Sequence, residues 1–342
     1  MNITASMIKT QITKGKFTPH TALTNIALSY YQNASNYFAK AIFPVCRVSQ
    51  SSDQYYIFSK EDLLRDNWQK KPAHGKVMPS VLSERTDTYR VTVEQSIMGI
   101  DQIRETELTR RQGPAIARDP RQQIAKAIAE QANIHQDRLF ANKFFVPGVW
   151  ANEMTGTDET NPTGNQFIKF SNGNSDPIKF IADKKKDMHQ QTGRTPNKIA
   201  IGANVFSALC NHPAILERVK YGGATANPAS VTKNVLAQLF EIDELVVLMS
   251  IYNQAKPGAE ADMQFIGDPN ALLLAYATNS PSIDEPSAGY IFSWDMLGDG
   301  NILPMFYHDG EWGTHSDYVE GLMAFDMKKT ADDLAIFCKD VV

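Results

Sequence analysis

The stretch from Asp119 to Asn142 does most to limit what this chain can fold into. It reads Asp-Pro-Arg-Gln-Gln-Ile-Ala-Lys-Ala-Ile-Ala-Glu-Gln-Ala-Asn-Ile-His-Gln-Asp-Arg-Leu-Phe-Ala-Asn. Asp119 can accept hydrogen bonds from the free N–H groups of a first helical turn, and Pro120 follows where its missing N–H costs nothing. Ile124, Ile128, Ala132, His135 and Leu139 recur every three or four residues, so they line one face. Alanines and straight-chain residues fill the rest, and both favour helix. At about 1.5 Å per residue the helix spans roughly 35 Å. Its apolar stripe is narrow, which suits an extended scaffold or a shell better than a buried core. Taken alone, the stretch is met more often as an ordinary amphipathic helix of a globular domain.

Composition narrows the class. A chain of 342 residues, 42% hydrophobic and 21% charged, is globular and long enough for one large core or two to three packed domains. Its 34 Lys plus Arg and 38 Asp plus Glu leave a net charge of −4, which argues against affinity built on neutralising phosphates. It does not argue against a protein that merely surrounds nucleic acid. Cys46, Cys210 and Cys338 are odd in number, far apart and without a Cys-x-x-Cys pair, as free thiols of a reducing compartment would be. The first residues lack a basic start followed by an apolar stretch, so no signal peptide is expected. The best apolar runs, Leu245–Met249 and Ala271–Ala277, fall far short of the ~20 residues that cross a bilayer.

In chain order, residues 1–18 read as an extended polar arm and Pro19–Phe38 as a helix. Tyr37, Phe38, Ile42, Phe43 and Val45 form an apolar cluster that needs a surface to bury on, and Pro44 ends any helix there. Two strand-like flanks, near Tyr55 and near Tyr89, bracket a long polar excursion, about Ser59 to Thr88. Tyr89, Val91 and Val93 are expected on one side of the second flank. Between Trp68 and Ser83 stand Lys70, Lys71 and Lys76 and no acid. Loops beyond ~15 residues in compact domains are usually functional or disordered. This one reads either as a mobile surface hairpin or as an arm that orders against another molecule.

Residues 152–176, rich in Asn, Thr, Gly and Ser, read as a loop. A second helix is expected from Asp176-Pro177 to Gly193, with Ile178, Ile181 and Met188 inward and Lys184-Lys185-Lys186 on or beside its wet face. Short helices follow at Val205–Cys210, Pro213–Tyr221 and Val231–Phe240, broken by Gly222-Gly223. Strands are expected at Ile199–Gly202, Leu245–Met249, Ala271–Ala277, Tyr290–Trp294, Met305–Tyr307, Tyr318–Lys328 and Leu334–Val342. Strand and helix do not alternate as in a doubly wound fold, and no internal repeat is visible.

Reaction motifs are scarce. Gly75-Lys76 and Gly15-Lys16 lack the rest of a Walker loop, and Gly298-Asp299-Gly300 lacks the third glycine of a dinucleotide fingerprint. The best cluster is His308-Asp309-Gly310-Glu311-Trp312-Gly313-Thr314-His315-Ser316-Asp317, with two imidazoles and three carboxylates among its ten residues. Its spacing matches no metal motif, and a charged turn between strands explains it more simply. Cys210 near His212 suggests a thiol nucleophile, but the apolar surroundings favour a packed thiol. No catalytic, cofactor-binding or metal-binding residue is assigned.

The order of these elements resembles the major capsid proteins of tailed bacteriophages with the HK97 fold. The likeness rests on Phe43-Pro44-Val45, Ser52-Asp53-Gln54-Tyr55-Tyr56-Ile57-Phe58 leading into the long loop, and the Asp119-Pro120 helix. It extends to Thr192-Gly193-Arg194-Thr195-Pro196-Asn197-Lys198-Ile199-Ala200-Ile201-Gly202, Val205–Leu209, His212–Tyr221, Ala237–Ile242 and the closing strands. The resemblance implies an α+β fold. Residues 1–48 would be an N-terminal arm, 49–92 an extended loop lapping a neighbour, and 93–200 a peripheral domain with its spine helix at 119–142. Residues 201–315 would be an axial domain, and 316–342 strands returning to the peripheral domain. It further implies a non-enzymatic subunit, without cofactors, that assembles into hexamers and pentamers of an icosahedral head around double-stranded DNA. A separate scaffolding protein and a portal would be partners, the DNA would be touched non-specifically, and no membrane would be involved. Assembly in the bacterial host cytoplasm would deliver the chain to the virion. Unlike members with a long cleaved N-terminal segment, this chain starts close to the arm, so scaffolding is expected from another protein. Lys70, Lys71 and Lys76 are expected to meet an acidic patch on a neighbour, Asp332-Asp333 or Glu241/Asp243/Glu244. The rival readings are another self-assembling protein (an encapsulin-like compartment shell or a tail tube) and a metal-dependent hydrolase using His308 and His315.

Overall fold

The structure is a computed structural model that describes residues 36–58, 60–71, 73–103, 106, 120–222, 231–256, 258–282, 285–295, 303–311 and 313–342. The expected arm at 1–18, most of the helix at 19–38, Asp119 and the Gly298–Gly300 stretch lie outside these residues.

The helix foreseen at Asp119–Asn142 forms as α3, Pro120–Phe144, 25 residues and roughly 37 Å long. Its buried face overlaps the expected stripe only at Ile128 and Ala132. Ala125, Ile128, Ala129, Ala132, Asn133, Gln136, Asp137, Phe140, Ala141 and Phe144 are buried, whereas Ile124, His135 and Leu139 are half-buried. The inferred stripe was rotated because it passed over Ala125, Ala129, Ala141, the aromatic residues Phe140 and Phe144, and three polar residues that share the buried face. The expectation of a rod outside a core is also corrected. α3 runs through the largest apolar cluster among the described residues, between two sheets.

The first sheet is five-stranded: β1 (Val45–Val48), β4 (Thr92–Asp101), β12 (Gly289–Trp294), β13 (Met305–Asp309) and β14 (Ser316–Lys329). β14 is its centre, antiparallel to β4, β12 and β13, and β1 runs parallel to β12. α3 approaches β14 closely at Gly321, where a Cβ would lie 2.5 Å from Ile128 Cγ2, so any side chain there would push the helix away.

The second sheet has the order β6 (Gln166–Ile168), β5 (Asn152–Thr157), β15 (Ala335–Lys339), β11 (Leu272–Ala275), β7 (Lys198–Gly202) and β8 (Glu244–Leu248). Both faces are covered, which explains why these strands read as unbroken apolar runs. Ala200, Leu273 and Phe337 face α3, and Phe145 meets Phe337 edge-on at 5.6 Å. Ile199, Ile201, Leu272, Leu274 and Ile336 face the other way. There they meet α4 (Pro177–Thr192), α5 (Ala203–Cys210), α6 (Pro213–Gly222) and α7 (Lys233–Leu239). As foreseen, Asp176 caps α4, its Oδ1 accepting from Lys179 N at 3.0 Å, and Gly193 closes it.

Part of the stretch read as loop at 152–176 is strand. β5 lies parallel to both β15 and β6, and at Gly156 the Asp340 carbonyl oxygen sits 1.9 Å from where a Cβ would be. Pairing with a distant strand, not local propensity, makes it a strand. The sheets also cut across the expected domain limits. A boundary after residue 200 falls inside β7, one after 315 separates β13 from its partner β14, and β15 lies in the second sheet.

The apolar cluster before Pro44 finds its surface on α3. The short helix α1 (Ala39–Ile42) is anchored by Phe43, whose ring meets Phe140 at 4.9 Å and Phe144 at 5.0 Å. Asp137 caps α1 from across the fold. Its buried carboxylate accepts from Ala39 N at 2.9 Å, from Phe38 N at 3.2 Å and from Ser250 Oγ at 2.9 Å.

Candidate assembly surfaces

The long excursion is held by an antiparallel pair, β2 (Ser52–Phe58) and β3 (Glu84–Arg90), in register from Ser52↔Arg90 to Phe58↔Glu84. The flanking strand begins at Glu84, so the excursion runs over residues 59–83, shorter than the expected 59–88. The foreseen alternation holds for Tyr89 and Val91, both buried, but Val93 is exposed. The strand breaks at Val91, between β3 and β4, and this resets the side-chain phase.

The base of the excursion is locked to the first sheet. Tyr89 stacks on Phe292 and Tyr55 packs against the same ring at 5.7 Å, within a cluster that includes Cys46, Val48 and Tyr290. The Tyr55 hydroxyl donates to Asp87 Oδ2 at 3.1 Å, and burial with that carboxylate pushes the phenol pKa up. At the neck stands α2 (Lys60–Leu63). Asp62 accepts from Ser83 N at 3.0 Å and from the Ser83 hydroxyl, which holds its pKa below the usual carboxylate value. Lys60 pairs with Asp333 of the body. Between neck and body lies an open cleft of about 740 Å³, lined by charges of both signs, among them Lys60, Arg85, Arg194, Glu84 and Asp332.

Beyond the neck the side chains face solvent. Lys70, Lys71 and Lys76 are exposed, and none has a carboxylate partner among the described residues. The excursion is less polar than its sequence suggested, since Leu64, Trp68, Val77, Met78, Val81 and Leu82 are exposed on it. The two acidic patches considered for the lysines are partly engaged within the chain. Asp332 accepts from Lys329 and from Ala151 N, both at 3.0 Å; Glu241 lies 3.5 Å from Lys185 and Glu244 3.2 Å from Lys198.

The reaction-like clusters come apart in three dimensions. His308 pairs with Glu320, and this contact raises its pKa. Asp317 is buried elsewhere, accepting from Tyr307 and, at 2.7 Å, from Gln102 Nε2, with Arg121 at 3.8 Å. Among the described residues no group of three His, Cys, Asp or Glu is placed to hold a metal ion. His212 contacts Ser175 Oγ at 3.0 Å, whereas Cys210 donates to the Val231 carbonyl at 3.5 Å. Burial raises the Cys210 pKa, opposite to what activates a thiol. Among the described residues no helix is long and apolar enough to cross a membrane.

A second exposed apolar surface gave no sequence signal that we read. β9 (Ile251–Asn253) and β10 (Met263–Phe265) form a hairpin beside β8, and Met249, Ile251, Met263 and Phe265 face outward from it.

No protein-family model matches the chain. It is 22% identical over 240 residues to the major capsid protein of Burkholderia phage BcepMu, covering 68% of this chain and 70% of that one. A phage-related protein from Bordetella bronchiseptica superposes with a TM-score of 0.68 at 20% identity, over 95% of this chain and 98% of that chain. A virus-like particle from Pyrococcus furiosus gives 0.53 at 10% identity, over 93% and 98%. A structure from Microbacterium phage Oxtober96 gives 0.52 at 10% identity, over 89% and 91%. The fold is the α+β, HK97-like fold that the sequence resemblance implied.

Proposed function

We propose that this chain is the major capsid protein of a tailed bacteriophage, a structural subunit that assembles with copies of itself into an icosahedral shell. One observation carries the reading, the sequence likeness to a phage major capsid protein over two thirds of the chain; the fold of a phage-related protein, matched over nearly the whole chain, agrees with it. The surfaces agree with the role. A shell needs repeated heterologous contacts between identical chains. An excursion with six exposed large apolar side chains, anchored at its base by stacked aromatic rings, supplies one half of such a contact.

In this reading the subunits form hexamers and pentamers around double-stranded DNA, touched without sequence preference. A separate scaffolding protein and a portal take part, and assembly in the host cytoplasm places the chain in the virion. The role is structural and non-enzymatic. The first sheet with α3 forms the peripheral domain, and the second sheet with its helices forms the axial domain. Lys70, Lys71 and Lys76 meet an acidic patch on the neighbour. A non-viral shell is the second reading, favoured by the likeness to the virus-like particle.

Negative-stain electron microscopy with sedimentation velocity on the purified full chain tests this. Closed shells, or rings of five and six, are expected. A homogeneous monomer or dimer, with and without a co-expressed scaffold, would overturn the proposal. Double-stranded DNA inside native particles separates the viral shell from a compartment that carries protein cargo.

A further inference from the structure

We propose that the outward face of the β9–β10 hairpin is the seat for the excursion of a second copy of this chain, an inference that rests on the shell-subunit reading above.

The hairpin presents this face by construction. Its register sets Ile251 opposite Phe265 and Met263 opposite Asn253, so these side chains share one side. Met249, two residues upstream of Ile251, joins them, and the four large side chains are 44–62% exposed. The other side is fixed to the body. Tyr252 lies under the Arg138 guanidinium, 4.9 Å from ring centroid to Cζ, and the preceding Ser250 donates to buried Asp137. With its inner side committed, the hairpin cannot turn its apolar side inward. A contiguous exposed apolar cluster rimmed by polar residues marks an interaction surface.

The occupant follows from composition. A heterologous contact between identical chains joins two different patches of one surface, so both halves lie on this chain. The excursion offers Trp68 and Met78, 95% and 84% exposed, together with three lysines and no acid between Trp68 and Ser83. Its seat must be apolar and acidic. The turn of the hairpin carries Glu260 and Asp262 against the single Lys256, and among the described residues no cation pairs with either acid. The rival surface, Val93 and Ile97 on β4 with Tyr318 on β14, presents three exposed large side chains to the hairpin's four. Its cross-strand acid, Glu320 opposite Ile97, is already bound to His308.

Hydrogen exchange on the full chain, before and after assembly, tests the seat. Residues 64–82 and 249–265 should both slow tenfold or more on assembly. The double variant Met263→Asp/Phe265→Asp should keep the wild-type circular dichroism, lower the assembled fraction at least tenfold and leave the excursion in fast exchange. A charge pair covers the case in which that variant does not fold. Glu260→Lys/Asp262→Lys should weaken assembly, and Lys70→Glu/Lys71→Glu/Lys76→Glu in a co-expressed copy should restore it. Shells in which the excursion slows but the hairpin does not, or variants that assemble like wild type, would overturn the seat and leave the shell reading standing. A wild-type chain that never assembles would overturn both.

Discussion

The ring of Tyr89 lies stacked on the ring of Phe292, with centroids 4.6 Å apart and planes 16° from parallel. This contact joins the β2–β3 hairpin, which sets the direction of the excursion, to the five-stranded sheet. Tyr89→Ala removes a fully buried aromatic side chain, a change that typically costs about 3–5 kcal/mol. Thermal melting should show that loss, and limited proteolysis should spread from residues 59–83 into β2 and β3. Tyr89→Phe keeps the stack and should melt close to wild type. Equal melting of Tyr89→Ala and wild type would show that the stack contributes nothing.

Asp137 ties three segments together at a cost that depends on pH. Burial raises its carboxyl from 3.8 to about 6, against the lowering effect of the hydrogen bonds from Ala39, Ser250 and Phe38 and of the Lys40 charge. A raised carboxyl favours the folded state fully below about pH 4, and that contribution is lost as the pH rises through about 6. A shift of about two units corresponds to about 3 kcal/mol. Asp137→Asn cannot ionise, so the stability difference between variant and wild type should move by about 3 kcal/mol in favour of Asn from pH 4 to pH 7. Urea midpoints across that range check it, and a constant difference contradicts the account. Lys40, lowered to about 7 by burial, adds its own contribution above that window, where stability rises as the pH passes from about 7 toward its unfolded value.

Gly321→Ala places a methyl group against Ile128 and should lower stability by about 1–3 kcal/mol, as overpacking does. Adding Ile128→Ala removes the facing Cγ2 methyl, so Gly321→Ala should cost less in that background than in wild type, because residues in contact couple. Additive losses in the double variant would show that the helix does not approach β14 through this pair.

Reversing Lys70, Lys71 and Lys76 to glutamate should weaken assembly and leave the monomer's circular dichroism unchanged, since all three are exposed. Sedimentation velocity reads the assembled fraction. Unchanged assembly would mean that the excursion works through Trp68, Met78 and their apolar neighbours without charge. In unassembled wild-type chain the first protease cuts should fall within residues 59–83, and resistance there would show a loop ordered on its own.

Much of the chain was legible locally. Asp176 and Gly193 delimit α4, and the apolar runs near Leu245, Ala271 and Leu334 became strands of the second sheet within one to three residues. The signals failed where the buried side chains are small or polar. Asn133, Gln136 and Asp137 lie on the buried face of α3; the groups that satisfy Asp137 come from residues 38, 39 and 250, and Gln136 Nε2 donates to Met323 Sδ at 3.3 Å. β9 and β10, three residues each, offer too few positions for a period-two pattern, and the side with the larger apolar residues faces outward.

By itself, the sequence determined that a long helix runs on from Pro120, that several short apolar runs are strands, and that a charged excursion lies between two aromatic flanks. Caps, prolines and period are local properties that act within a few residues. Tertiary structure alone decided which face of α3 is buried, that β5 and β6 are strands, and that β15 lies between β5 and β11. Those outcomes depend on hydrogen bonds and packing between residues far apart in the chain, such as Ile336 with Asn152, and no local pattern encodes such a partner.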